Sequence, residues 1–206
     1  MITNPFPLPD NLPVPTDDGA AAHLAGSPLP ELSLTATDGA LLNLAQRAGR
    51  WVLYVYPMTG RPGVALPDGW DAIPGARGCT PQSCGFRDQF AELQALHTGV
   101  YGLSAQDSEY QREARDRLHL PFELLSDTGL RLKSALRLPT FRVAGMELYR
   151  RLTLVVDDGR VSTVFHPVFP PDRNADDVLA WLRANPRGAA SASAAAAGGS
   201  ARTPTS

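Results

Sequence analysis

The chain has only two cysteines, five positions apart, in Gly78-Cys79-Thr80-Pro81-Gln82-Ser83-Cys84-Gly85-Phe86-Arg87-Asp88. Thiolates attack electrophiles, exchange with disulfides and are oxidised by peroxides, so a redox centre is the first chemistry to test. Thr80 suits a helix N-cap and Pro81 the first helical position, which predicts a helix starting beside Cys79. Phe86, Phe90, Leu93 and then Leu96 or His97 recur at helical spacing, while Arg87, Asp88, Glu92 and Gln94 fall on the other side. Cys79 therefore stands at the N-terminal tip of the helix, where free N–H groups and the macrodipole favour negative charge.

Cys84 follows on the same stretch. In an unbroken helix five residues span about 7.5 Å of rise and about 140° of rotation, placing the Cα atoms about 8.5 Å apart. A disulfide bridges at most about 7 Å. The two thiols are therefore either unrelated, or the first turn must unwind for them to meet.

Size and charge narrow the classes. A chain of 206 residues can hold one domain with a full core. Its net charge of −2, with no basic run, argues against nucleic acid as the partner. Met1-Ile2-Thr3-Asn4-Pro5-Phe6 has neither a basic start nor an apolar core, so no leader and no membrane segment is expected, and the cytoplasm is the expected location. Two closely spaced cysteines in a reducing compartment point to catalysis, redox sensing or metal binding rather than a structural staple. His23, His97, His119 and His166 are scattered without a second ligand pair, so no metal site is expected from motif spacing.

The remaining elements must position the cysteines. Residues 1–25 carry Pro5, Pro7, Pro9, Pro13 and Pro15 and read as an extended arm. Residues 26–187 form the domain. Thr37-Asp38-Gly39 signals a hairpin between Leu32–Thr35 and Ala40–Leu44. Trp51-Val52-Leu53-Tyr54-Val55-Tyr56 reads as a buried central strand ending at Pro57. A loop without an obvious element runs over 58–78, a length that is usually functional.

Beyond the cysteine helix come a second buried strand at Gly99–Ser104, a polar helix from Ser108 to Leu118, and a short strand at Phe122–Ser126. A short helix follows over Gly129–Leu136, and Leu148–Val156 reads as one strand. Asp157-Asp158-Gly159 turns that strand into Arg160–Phe165, and a last helix covers Asn174–Ala184. Residues 188–206, almost entirely Ala, Ser, Gly and Thr, cannot bury enough surface to order and read as a tail. Strands alternating with helices, plus a late hairpin, predict an α/β fold with a mixed sheet.

With strand, loop and helix in place, the chain resembles the peroxiredoxins, thiol peroxidases on a thioredoxin-like fold, and within them the bacterioferritin comigratory protein class. The residues that carry the resemblance are Tyr54-Val55-Tyr56-Pro57, Gly78-Cys79-Thr80 with Cys84 and Phe86-Arg87-Asp88, Gly102-Leu103-Ser104, Leu124-Leu125-Ser126-Asp127, and Arg151 to Asp157. The resemblance implies a three-layer thioredoxin-like fold with a mixed central sheet flanked by helices and an added N-terminal β-hairpin. It makes Cys79 the peroxidatic cysteine, Cys84 the resolving one, and Arg151 the arginine that holds the thiolate and polarises the peroxide.

It implies no cofactor, a peroxide as substrate, a thioredoxin-like dithiol as reductant, and a monomer or weak dimer. One departure stands out. The family's proline and threonine, seven and three residues before the peroxidatic cysteine, are here Ala72 and Ala76. Pro57 and Thr59 stand before the long loop, so the expectation is that the loop bulges out and returns Thr59 to the sulfur. Pro57 and Thr80 are the substrate-binding candidates.

Two rival readings remain at this level. A thiol-disulfide oxidoreductase shares the fold but normally has two residues between its cysteines, not four. A non-catalytic thioredoxin-fold module would carry both thiols as inert small hydrophobes.

Overall fold

The computed structural model describes residue 8 and residues 11–187. The expected tail at 188–206 and most of the first ten residues lie outside that range. A β-hairpin opens the domain, β1 (Ser33–Ala36) and β2 (Leu41–Asn43), turned at Gly39 with φ of 90°. The central strand is β3 (Arg50–Val55), followed after the long loop by α1 (Cys79–Asp88) and α2 (Phe90–Ala95). Then come β4 (Thr98–Ser104), α3 (Ser108–Arg117), β5 (Leu124–Ser126) and α4 (Arg131–Leu136). The chain continues through β6 (Thr140–Val143), β7 (Met146–Tyr149), β8 (Leu152–Asp157), β9 (Arg160–Phe165) and α5 (Asn174–Ala184).

Seven strands form one mixed sheet in the order β2-β1-β5-β4-β3-β8-β9, with β3 parallel to β4 and antiparallel to β8. The expected α/β architecture with its N-terminal hairpin is present. Strand alternation divides the core. Trp51, Leu53 and Val55 of β3 point to one face with Leu34, Leu103 and Leu154, while Val52, Tyr54 and Tyr56 point to the face that carries the cysteine helix and α5. Burying each of these side chains contributes about 1.5–3 kcal/mol, which makes β3 a rigid platform for the loop and helix that follow it.

Four expectations need correction. Leu148–Val156 is not one strand. It breaks at Arg150 and Arg151 into β7, which pairs with β6 in a separate two-stranded sheet, and β8, which enters the main sheet. The Arg150 amide donates to Pro139 O at 2.9 Å instead of joining a ladder, and the Arg151 side chain turns into the interior.

The cysteine helix does not start from a Thr80 cap. Gly78, at φ of 104° and with no side chain to cap, precedes Cys79 as the first helical residue, and the Gln82 amide donates to Gly78 O at 3.0 Å. Only glycine fits there, because a Cβ would stand 2.2 Å from Cγ of Pro171. The helix also breaks once, at Gln89 with φ of −94° and ψ of 5°, whose side-chain amide is tied to Asp176 at the start of α5.

The long loop does not bulge outward. Trp70 and Ala76 bury against Leu148, with Met58, Leu66, Ile73, Phe141 and Val143 packed around them, so the loop lies down on the β6–β7 hairpin.

Candidate active site

Cys79 begins α1, 4% exposed, on the wall of a cleft of about 470 Å³ that the loop helps to build through Met58, Arg61, Leu66 and Trp70. Among the described residues its Sγ has two hydrogen-bond partners. A terminal nitrogen of Arg151, Nη2, donates to it at 3.2 Å, and the thiol donates to Ala76 O at 3.6 Å. Arg151 is itself 4% exposed. Nη2 also reaches Ala76 O at 3.2 Å and Arg77 O at 3.1 Å, and Nη1 donates to Oε1 of Gln82. A protonated sulfur is thus held by a carbonyl, and an ionised one is paired with a buried guanidinium. Such a charge-assisted contact is strong where water is excluded.

The guanidinium is fixed by a second layer. Gln82 Nε2 donates to Asn174 Oδ1 at 2.9 Å, and Thr153 of β8 donates to the same oxygen at 2.7 Å. Gln82, Asn174 and Thr153 are all buried. Three elements, α1, β8 and α5, therefore converge on one arginine fork, and Gln82 lies between the two cysteines on α1.

Cys84 is five residues into the same continuous helix, buried, with its thiol free like that of Cys79. It packs in the core cluster that includes Tyr54, Phe86 and Val178. Burial pushes its thiol pKa up, partly opposed by the nearby Arg87 guanidinium. In the folded helix it is a resting thiol.

The other candidate residues stand differently around the cleft. Thr80 lines the cleft beside Cys79. Pro57 and Thr59 do not, although Met58 and Gly60 do. The expected return of Thr59 to the sulfur is not met. Its amide donates to Gln106 Oε1 at 2.9 Å, its hydroxyl donates to the same oxygen at 3.1 Å, and Gln106 Nε2 donates back to Thr59 O at 3.1 Å. The physical reason is that this glutamine, two residues past the end of β4, satisfies every polar group of Thr59 and anchors the start of the loop.

Among the described hydrogen bonds, the donor at the sulfur is Arg151 Nη2, and the carbonyl of Ala76, three residues before Cys79, accepts from the thiol. Thr59→Val should therefore change the rate of Cys79 oxidation by less than about threefold while lowering the unfolding midpoint, since it removes one neutral buried hydrogen bond of about 1 kcal/mol. Stopped-flow oxidation and thermal unfolding of the same variant check both halves.

Gln82, Asn174 and Gln106 were not anticipated. Gln82 carried a signal in hindsight, a polar residue on the buried side of a helix; the other two carried none. Arg61 and Arg77 also line the cleft, but each has an acidic partner, Glu113 at 3.6 Å and Asp71 at 2.8 Å respectively.

Known proteins similar to this chain agree on its family. A model of the Redoxin family matches residues 24–179. The chloroplastic peroxiredoxin Q of Suaeda salsa is 29% identical over 160 residues, covering 77% of this chain and 67% of that protein. A putative chloroplastic peroxiredoxin Q of Oryza sativa subsp. indica is also 29% identical, with 77% and 66% covered, so the match spans about two thirds of these relatives.

Among solved structures, peroxidoxin BcpB of Mycobacterium tuberculosis superposes with a TM-score of 0.64 at 26% identity, over 80% of this chain and 98% of that one. A mutant of Xanthomonas campestris peroxiredoxin Q shares the fold, with a TM-score of 0.63 at 23% identity over 80% and 99%. The chain belongs to the redoxin family, in its peroxiredoxin Q and bacterioferritin comigratory protein class.

Proposed function

We propose that the protein reduces hydroperoxides through Cys79, with Arg151 as the charge that stabilises the reaction. The observation that carries this is the contact from the buried Arg151 Nη2 to Cys79 Sγ at 3.2 Å, at the edge of a cleft open to substrate. The Cys79 thiolate attacks the nearer peroxide oxygen. An S–O bond forms, the O–O bond breaks, and the departing oxygen takes a proton to leave as water or an alcohol. The sulfur becomes a sulfenic acid. Arg151, whose two terminal nitrogens are held by Gln82 on one side and the Ala76 and Arg77 carbonyls on the other, meets the growing charge without reorganising.

Resolution follows on the same helix. The Cys84 thiol attacks the sulfenic sulfur, a disulfide forms and water leaves. That step requires the first turn of α1 to unwind, since the helical separation exceeds disulfide reach. Unwinding also draws Gln82 away from Arg151 and Asn174, which loosens one side of the arginine fork during resolution. A thioredoxin-like dithiol then restores both thiols by exchange. Both sulfurs belong to one chain, so a monomer suffices, and the cytoplasm is the proposed setting. No helix among the described residues is long and apolar enough to cross a membrane.

The test is to mix reduced protein with one equivalent of hydrogen peroxide. Both thiols should disappear quickly into one intramolecular disulfide; oxidation at the rate of a free thiol in buffer refutes the reading. Cys84→Ser should leave the first oxidation within about twofold of wild type, because Cys84 is not among the groups at the reacting sulfur. It should also let the sulfenic acid be trapped and block recycling by thioredoxin. Undiminished recycling in that variant removes Cys84 from the cycle.

A further inference from the structure

His166, directly after β9, takes no part in the peroxide chemistry. Its side chain is only 5% exposed, and among the described residues Nδ1 has no hydrogen-bond partner. That nitrogen faces Oδ1 of Asp17 at 3.8 Å, too far for a hydrogen bond. Asp18 follows, and the imidazole nitrogen and the two carboxylates offer three ligand atoms within 4.8 Å of one another. A buried nitrogen left without a partner yet aimed at two carboxylates is costly unless something sits between them.

We propose that Asp17, Asp18 and His166 hold a divalent transition-metal cation, zinc being the ion they fit. Ligand atoms about 2.0–2.1 Å from a tetrahedral zinc are about 3.3 Å apart. Asp17 therefore closes on His166 by about half an ångström, and no pair of ligand atoms, all within 4.8 Å of one another, closes by more than about 1.5 Å. Side-chain rotation supplies that, because the Asp17 and Asp18 side chains are 64% and 47% exposed. An imidazole nitrogen and carboxylate oxygens are both ligand types that zinc takes, and water completes the fourth position.

The surroundings orient the carboxylates. Asp17 Oδ1 accepts from the Gly19 amide at 2.9 Å and Asp18 Oδ1 from the Ala20 amide at 3.1 Å. Arg150 Nη1 donates to Asp18 Oδ2 at 2.6 Å, the outer-shell role that fixes a ligating carboxylate. With a neutral imidazole the cluster is one charge negative, counting two carboxylates and one guanidinium. A dication is attracted there.

The bound ion would staple the N-terminal arm to the far end of β9. Asp18 and His166 also line a cavity of about 310 Å³ whose wall includes Arg151. The staple thus lies behind the catalytic arginine, and its effect is on stability rather than on the sulfur.

The experiment titrates zinc into the reduced, full-length chain against a competing chromophoric chelator, and repeats it with His166→Gln and Asp17→Asn. Wild type should bind one zinc per chain and unfold at a higher temperature with zinc than with EDTA. Each variant should lose at least about tenfold in affinity, as disturbing even an outer-shell partner costs that much, and should lose the zinc-dependent rise in midpoint. Equal affinity in wild type and variants overturns the proposal, because the zinc is then bound elsewhere. Failure of wild type to bind overturns it as well. Should His166→Gln not fold, the exposed Asp17→Asn decides the question alone.

Discussion

Replacing Cys79 with serine abolishes peroxide consumption, to the rate of peroxide in buffer, and leaves the fold in place. A serine hydroxyl cannot supply the polarisable anion that attacks an O–O bond, and no other side chain at the cleft can replace it. The change is conservative in every other respect. The new hydroxyl inherits Ala76 O as acceptor and Arg151 Nη2 as donor, so no buried polar group is orphaned and the stability change should stay within about 1 kcal/mol.

Cys84 remains in this variant, which makes the test discriminating. It is buried in the apolar cluster, and burial pushes its thiol pKa up, so it cannot take over at comparable rate. The measurement is peroxide loss with a thioredoxin-like reductant, alongside the thermal midpoint. Turnover above background in a folded Cys79→Ser protein would move the chemistry elsewhere.

How much of this could be read from residues alone depends on how far each cause lies along the chain. The turn at Asp157-Asp158-Gly159 and the hydrophobic stripe of α5 are local, and the expected bounds of β9 and α5 coincide with the observed ones. The buried run from Trp51 correctly announced the central strand, because only a strand covered on both faces tolerates it.

The break between β7 and β8 was invisible. Leu148 to Val156 is an unbroken set of strand formers apart from two arginines, and what pulls Arg151 out of the ladder is a set of acceptors on residues 76, 77 and 82. The same distance in sequence hid Gln82, whose partners are Arg151 and Asn174, and Gln106, which holds Thr59. It also hid the pairing of His166 with Asp17 and Asp18, since a search for ligand spacing cannot join groups from opposite ends of the chain. The long loop failed for another reason. Its apolar residues have no period, and only the presence of Leu148 and Phe141 shows which of them bury.

Arg151→Met slows oxidation of Cys79 by about 10²–10³-fold, the usual effect of deleting one fixed donor to a developing oxyanion. Methionine keeps most of the aliphatic volume, so the loss is of charge and donors rather than of packing. Arg151→Lys separates those two causes. An ammonium restores a point charge but not the planar fork that spans Gln82 on one nitrogen and Ala76, Arg77 and Cys79 on the other, so its rate should fall between those of Met and wild type.

Both variants leave acceptors without donors in the interior, and thermal midpoints should fall, because each orphaned oxygen costs about 1–3 kcal/mol. Rate and stability must therefore be read apart. Gln82→Leu supplies the control. It removes the Nη1 partner and the Asn174 contact but keeps the guanidinium 3.2 Å from the sulfur, so it should destabilise comparably while retaining most of the oxidation rate. The second-order rate constant for the first oxidation, taken by stopped flow on folded protein, decides. A rate in Arg151→Met equal to wild type would mean that the charge beside the sulfur does not act on the departing oxygen, and that the N-terminal amides of α1 carry that role unaided.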